Sequence, residues 1–245
     1  MNGFRFTLSG QVACFRRPDV NVRVYFTYNN IHKVALLGLL GAVLGLKGYR
    51  DNKLFKEPLG EFPEFYSVLS QLLVSVSPKG NNGYFSKKIQ YFNNSVGYAS
   101  KEQGGNLQVR EQWLEKPEWD ILLIKNKLSD EIWDKLCDFL FNGQCVYLPY
   151  LGKNDFPAVI TNAGVQELSP VQSNKVDSLF LCDSDLKKLT EGDGRYIFVE
   201  TAPIALAPNY NFYEFGRYVF TDYSLTKEML PQHLYTDGEK NYSFY

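Results

Sequence analysis

The run Val34 to Leu46 (VALLGLLGAVLGL) carries no charge over its whole length. It falls well short of the roughly 20 residues that span a bilayer. The run therefore predicts a core helix rather than a membrane anchor, starting around Asn30 or Ile31. Ala35, Gly38, Gly41, Ala42 and Gly45 recur at three- and four-residue spacing, which permits close backbone approach. Each of three glycines would cost about 0.8 to 1 kcal/mol in an exposed helix. The stripe therefore needs a packing partner, and the expected partner is a sheet.

Strand patterns surround that helix. Phe4, Phe6 and Leu8 alternate with Arg5, Thr7 and Ser9, a half-buried strand pattern. Asn21 to Tyr28 (NVRVYFTY) is β-branched and aromatic, and the segment before it places Arg16 and Arg17 in an exposed loop beside Pro18. Residues 62 to 76 form another buried element, broken by PKGNNG at Pro78 to Gly83. Tyr84 to Phe92 and Asn106 to Trp113 read as two arms of a long hairpin with a polar tip at residues 93 to 105. Trp119 to Ile124 predicts a strand. Ser129 is an N-cap for an amphipathic helix, Glu131 to Phe141, closed by Gly143. Further strands are expected around Cys145 to Leu151, Ala158 to Leu168, Arg195 to Glu200 and Tyr210 to Thr221, with a turn at GKNDFP. This order reads as an α+β fold, a ferredoxin-like split βαβ core with an inserted hairpin at 84–113 and a strand-rich C-terminal part over 145–245.

At 245 residues, one large domain, or one with an insertion, is as reasonable as two. The net charge of −1 hides a division. Residues 1 to 56 hold nine Lys or Arg against Asp19 and Asp51, a balance of +7, and the remainder carries −8. Such asymmetry points to a polyanion-facing end, although scattered surface charges can also sort this way. Aromatic residues make 16% of the chain, with 17 tyrosines, more than a core alone requires. The four cysteines form no CxxC, and no signal peptide precedes the first strand pattern, so a reducing cytoplasm is expected.

Motifs for familiar chemistry are missing. Gly41 to Gly48 lacks a GK[ST] ending, Gly192-Asp193-Gly194 reads as a turn, and no GxSxG or HExxH occurs. Asp183 and Asp185 read as a helix start before Leu186, and no metal or other cofactor is assigned. One constellation has the residue types for metal-free RNA cleavage: Tyr28, His32 and Lys33, at a strand end and the first turn of the glycine-striped helix. The same residues suit phosphate holding at a helix N-terminus, which makes smaller geometric demands. The hairpin interleaves rings with Lys87, Lys88 and Arg110. Such a mixture serves single-stranded nucleic acid, because rings stack on bases while cations follow phosphates. A ribbon packing its rings onto its own domain would show the same pattern.

The segment Gly10 to Gly45 (GQVACFRRPDVNVRVYFTYNNIHKVALLGLLGAVLG) resembles CRISPR-associated protein family five, particularly the type I-B branch. QVREQWLEKPEWDILL (Gln108 to Leu123), YLPYLGKNDFPAVI (Tyr147 to Ile160) and ETAPIAL (Glu200 to Leu206) agree with it in order and spacing. The resemblance implies a single ferredoxin-like (RRM-like) RNA-binding domain over residues 1–245, of the repeat-associated mysterious protein (RAMP) superfamily, with 84–113 as a protruding thumb. It implies a subunit of the type I interference complex, Cascade, that grips the 5′ handle of the CRISPR RNA. Its expected protein partners are the adjacent backbone subunit and the large subunit, and target DNA is met only through the complex. Arg16 and Arg17 match the family's RNA-facing loop, and Arg23 is counted with them. Tyr28, His32 and Lys33 match the strand-to-helix junction; Lys87, Lys88 and Arg110 belong to the thumb; and Lys153 lies in the LGK turn, where a fold-defining role competes with RNA contact. The C-terminal glycine-rich loop of many superfamily nucleases is missing, so the expectation is a non-catalytic subunit. The alternatives are a metal-independent endoribonuclease that processes precursor RNA and a pure protein-interaction module.

Overall fold

The computed structural model describes residues 1–19, 23–49, 61–95, 97, 101–189, 193–208 and 210–245. Strand β1 (Asn2–Ser9) buries Phe4, Phe6 and Leu8, as its alternation requires. A short β2 (Val12–Ala13) leads through a loop to helix α1 (Lys33–Leu44). Helix α2 (Glu64–Leu69) and strand β3 (Leu73–Pro78) follow. The hairpin β4 (Lys87–Asn93) and β5 (Gln108–Glu115) comes next, then β6 (Glu118–Ile124), α3 (Asp130–Phe141) and β7 (Val159–Glu167).

Strands β3, β6, β1 and β7 form a four-stranded sheet in that spatial order, with every neighbouring pair antiparallel. Helix α1 lies in sequence between β1 and β3, and α3 lies between β6 and β7. Period-2 alternation along β6 divides its side chains between two cores. Ile121 and Leu123 join the main cluster with Leu36, Leu37 and Leu40 of α1, whereas Leu122 and Ile124 pack with Tyr242 and Phe244. The sheet is thus covered on both faces, and β6 is buried almost throughout.

The remaining strands are β8 (Ser169–Pro170), β9 (Phe180–Leu181), β10 (Ile197–Leu206), β11 (Tyr213–Thr221), β12 (His233–Thr236) and β13 (Asn241–Phe244). They form two antiparallel sheets, β10-β11-β9 and β13-β12-β8, while β2-β5-β4 forms the hairpin sheet. The protein is therefore a mixed α/β fold built mostly of strands in several antiparallel sheets. Among the described residues, no helix is long and apolar enough to cross a membrane.

Several sequence expectations meet a different structure. The small-residue stripe of α1 packs against a helix rather than a sheet: a Cβ added at Gly41 would lie 2.6 Å from Phe65 Cβ on α2. Residues 62 to 76 divide into α2 and β3 instead of forming one element. Cys145 to Leu151 is a loop, because the Val146 and Tyr147 N–H groups donate to the Val43 and Ala42 carbonyls at the end of α1. The Val43 carbonyl lies beyond the reach of the helix's own ladder and the Ala42 carbonyl receives the Gly45 N–H at 3.2 Å, so this loop completes the cap instead of entering a ladder. Of the expected strand Asn21 to Tyr28, Asn21 and Val22 lie outside the described residues, and Arg23 to Tyr28 takes part in isolated bridges, Arg16 to Thr27 and Tyr25 to Glu111, rather than in a ladder.

Candidate nucleic-acid interface

The turn before α1 is built by two adjacent asparagines. Asn29 Nδ2 and Asn30 Nδ2 both donate to the Gly83 carbonyl, at 2.6 and 3.2 Å. Asn29 Oδ1 accepts the Phe85 N–H at 3.3 Å, and Asn30 Oδ1 accepts the Trp119 indole N–H at 2.9 Å. Buried amides need such partners. Here they tie the start of α1 to the hairpin's entry and to β6. The Asn29 backbone N–H donates to both Glu200 carboxylate oxygens, at 2.8 and 3.0 Å, and the Asn30 N–H to one of them at 3.4 Å.

His32 is the N-cap of α1, and its Nδ1 accepts the Ala35 N–H at 3.2 Å. The ring is only 6% exposed and packs edge-on against Phe15, Tyr28 and Tyr213. Burial drives its pKa down to about 3. The sequence expectation made His32 a hydrogen-bond donor to phosphate; the structure makes it a neutral, buried acceptor within its own helix. Tyr28 is also buried, and burial pushes its hydroxyl up to about 12. Lys33 is half-buried, and loss of solvent lowers its ammonium to about 8.

The expected cations fall into three groups. Arg17 and Lys87 both act electrostatically on Glu200, so loop and hairpin converge at the helix junction. Arg17 also forms a two-pronged pair with Asp19, at 3.2 and 2.8 Å, and lies 5.7 Å from the Tyr28 ring centre. Lys87 is exposed on the strand, and partial desolvation lowers its pKa while Glu200 opposes that shift. Arg16 is exposed and sits 3.5 Å over the Tyr25 ring, and Arg110 lies 5.2 Å from the ring of exposed Tyr91. Such contacts hold a guanidinium flat while leaving its edge open to an anion. Arg23 is exposed as well.

Lys88 and Lys153 are placed differently. Lys88 faces Glu115 at 3.6 Å across the hairpin. Lys153 donates to Glu111 at 2.7 Å amid the rings of Phe92, Trp113 and Phe156, and Glu111 also accepts the Trp113 indole N–H at 2.9 Å. This part-buried ion pair fastens the LGK turn to the hairpin base. Gly152 belongs to the same turn, with φ of +85° and no room for a Cβ, which would fall 2.0 Å from the Cys14 carbonyl oxygen.

Two features escaped the sequence reading. Glu200 stands in the sequence as the end of the expected strand Arg195 to Glu200 and the start of ETAPIAL, and its partners lie 171 and 170 positions away. The β10–β11 turn carries Tyr210 and Phe212, 77% and 70% exposed, beside Tyr213 and Phe215, 38% and 48% exposed. Four rings within six residues are a legible signal, but an aromatic, β-prone pattern reads as a strand whether its rings are packed or open.

No protein-family model matches the chain, and no curated protein matches it. Among solved structures, a chain described as "CRISPR RNA-guided surveillance complex" is 12% identical, with 94% of each chain covered and a TM-score of 0.52. A second, "Crystal structure of a CRISPR protein from Archaeoglobus fulgidus", is 12% identical over 99% of this chain and 98% of that one, with a TM-score of 0.49. At this identity the first likeness is one of fold, and it extends over nearly the whole of both chains.

Proposed function

We propose that this chain is a non-catalytic, RNA-binding subunit of a type I CRISPR interference complex, of protein family five and its type I-B branch. In this reading it works in the cytoplasm, gripping the 5′ handle of the CRISPR RNA and capping the backbone next to the large subunit. The observation that carries the reading is the fold likeness to the surveillance-complex chain over 94% of both chains. It stands beside the sequence resemblance of Gly10 to Gly45. The order β-α-β-β-α-β in the four-stranded sheet supports a ferredoxin-like RAMP domain, with β4–β5 as its thumb.

The site geometry supports holding rather than cutting. General acid–base cleavage needs a proton acceptor and donor within reach of the scissile phosphate. His32 spends its Nδ1 on the helix cap, and the Tyr28 hydroxyl is pushed away from neutral pH. Arg16, Arg17, Arg23, Lys87 and Arg110 provide positive charge on the loop and hairpin, the arrangement that backbone contact requires.

The test is co-expression of the tagged chain with a type I backbone subunit, large subunit and repeat RNA. Co-purification of all three with RNA bearing an intact 5′ handle is the expected result. A chain that joins neither subunit nor RNA would overturn the assignment.

A further inference from the structure

We propose that Tyr210, Phe212, Tyr213 and Phe215, at the β10–β11 turn, form a stacking surface for the unpaired bases of single-stranded RNA. The inference rests on the RNA-binding reading above and adds to it a base-holding site distant in sequence from the loop and hairpin. The turn is held by backbone hydrogen bonds from Ala207 to Phe212 and from Asn211 to Ala207, at 2.8 and 3.1 Å. Tyr210 and Phe212 lie nearly parallel, with centres 5.8 Å apart and planes 15° from each other. At 77% and 70% exposure, most of both rings remains open to solvent.

Tyr213 and Phe215 are two residues apart on β11 and so share a face, while Glu214 between them points to the other. Their rings meet edge-on at 6.3 Å. Tyr213 also joins the turn to the cationic loop through a line of rings. Its centre is 5.8 Å from His32, His32 is 5.3 Å from Tyr28, and the Arg17 guanidinium is 5.7 Å from Tyr28. Tyr28 and His32 are buried, so this line fixes the turn beside the Arg17 loop, and an RNA strand whose phosphates lie along Arg17 and Lys87 can place its bases at the turn. Cations for phosphate beside open rings for bases are the two parts that single-strand recognition combines.

The composition of the patch favours bases over a protein partner. Its exposed large hydrophobic side chains are all aromatic, whereas the loop at residues 145–150 mixes Tyr147 and Tyr150 with aliphatic Val146 and Leu148, the latter 82% exposed. Exposed ring faces suit flat π-systems and take any base.

The experiment measures binding of a fluorescent single-stranded repeat RNA to the full chain and to Tyr210→Ala/Phe212→Ala over a range of salt. The pair is chosen because both rings are exposed, and circular dichroism checks that the variant folds. The expected result is an affinity loss of about tenfold or more, with the salt slope unchanged because no phosphate contact is removed. Tyr210→Phe/Phe212→Tyr should restore binding, and 2-aminopurine in the RNA should be quenched by the wild type but not by the alanine variant. Wild-type affinity in a folded alanine variant overturns the stacking surface alone and assigns the rings to another partner, such as a protein. Failure of the wild type to bind RNA even at low salt overturns the RNA-binding reading itself.

Discussion

Glu200 reaches across from β10 to receive the Asn29 N–H on both carboxylate oxygens, at 2.8 and 3.0 Å. A carboxylate built into the protein thus receives the N–H groups of the turn that leads into α1. Burial raises the Glu200 pKa, while the Asn29 N–H, Lys87, Asn30 N–H and Arg17 act in the opposite direction. Replacing Glu200 with Ala leaves two N–H groups without an acceptor and should lower stability by about 1 to 3 kcal/mol. Urea unfolding of Glu200→Ala and Glu200→Gln checks this; the Gln variant keeps one acceptor oxygen and should lose less. Equal stability in all three proteins would show that the contact contributes nothing.

His32 sets a pH dependence whose sign follows from its lowered pKa. Between its ordinary value near 6.5 and its folded value near 3, the unfolded chain binds a proton that the folded chain does not. Stability from this group is therefore fully present above about pH 6.5 and is lost as pH falls toward 3, by at most about 1.4 kcal/mol per pH unit. Asn can cap the helix without titrating. Unfolding measured at several pH values should show His32→Asn gaining on the wild type as the solution is acidified, and a difference constant with pH would contradict the assignment.

How much of this was legible varied with the range of the forces involved. Helix α3 was readable from its Ser129 cap and amphipathic pattern, and the Ser129 hydroxyl does accept the Ile132 N–H at 3.3 Å. The hairpin arms were readable too, since alternation and turn residues are local. The Asn29, Asn30 and Glu200 node was not, because its partners are scattered over β6, β10 and the hairpin entry. The apolar texture of Cys145 to Leu151 misled for a related reason: its N–H groups serve the end of α1, which no pattern inside the segment reveals.

The Lys153 and Glu111 pair predicts a structural rather than an RNA phenotype. Glu111 is 7% exposed, so Lys153→Ala leaves a buried carboxylate with only the Trp113 indole as hydrogen-bond partner. Removing the partner of a carboxylate in such a part-buried pair costs about 1 to 3 kcal/mol. Thermal unfolding should register the loss, whereas RNA affinity per folded molecule should stay near the wild-type value. The reverse outcome would make Lys153 a phosphate contact.

Salt dependence tests the cationic surface. If roughly four to six phosphates are neutralised, the slope of log K against log salt is about −3 to −4 for a single strand. Arg16→Ala/Arg17→Ala should flatten it by about one unit, with Arg16 the larger contributor because Arg17 is paired with Asp19. Unchanged binding in the double variant would remove the loop from the interface.

The hairpin tip is tested by deletion of residues 93–105. The chain should stay folded, since among the described residues the core clusters contain none from that stretch, while assembly with RNA and the backbone subunit weakens. Unchanged assembly would make the hairpin a passive surface.

The most direct measurement incubates the wild type with repeat RNA in EDTA and sequences both the retained and the released RNA ends. Binding without cutting predicts full-length RNA retained on the protein, with ends identical to those of untreated RNA. Site-specific cleavage that disappears in His32→Asn while binding persists would contradict the account and make the chain a nuclease.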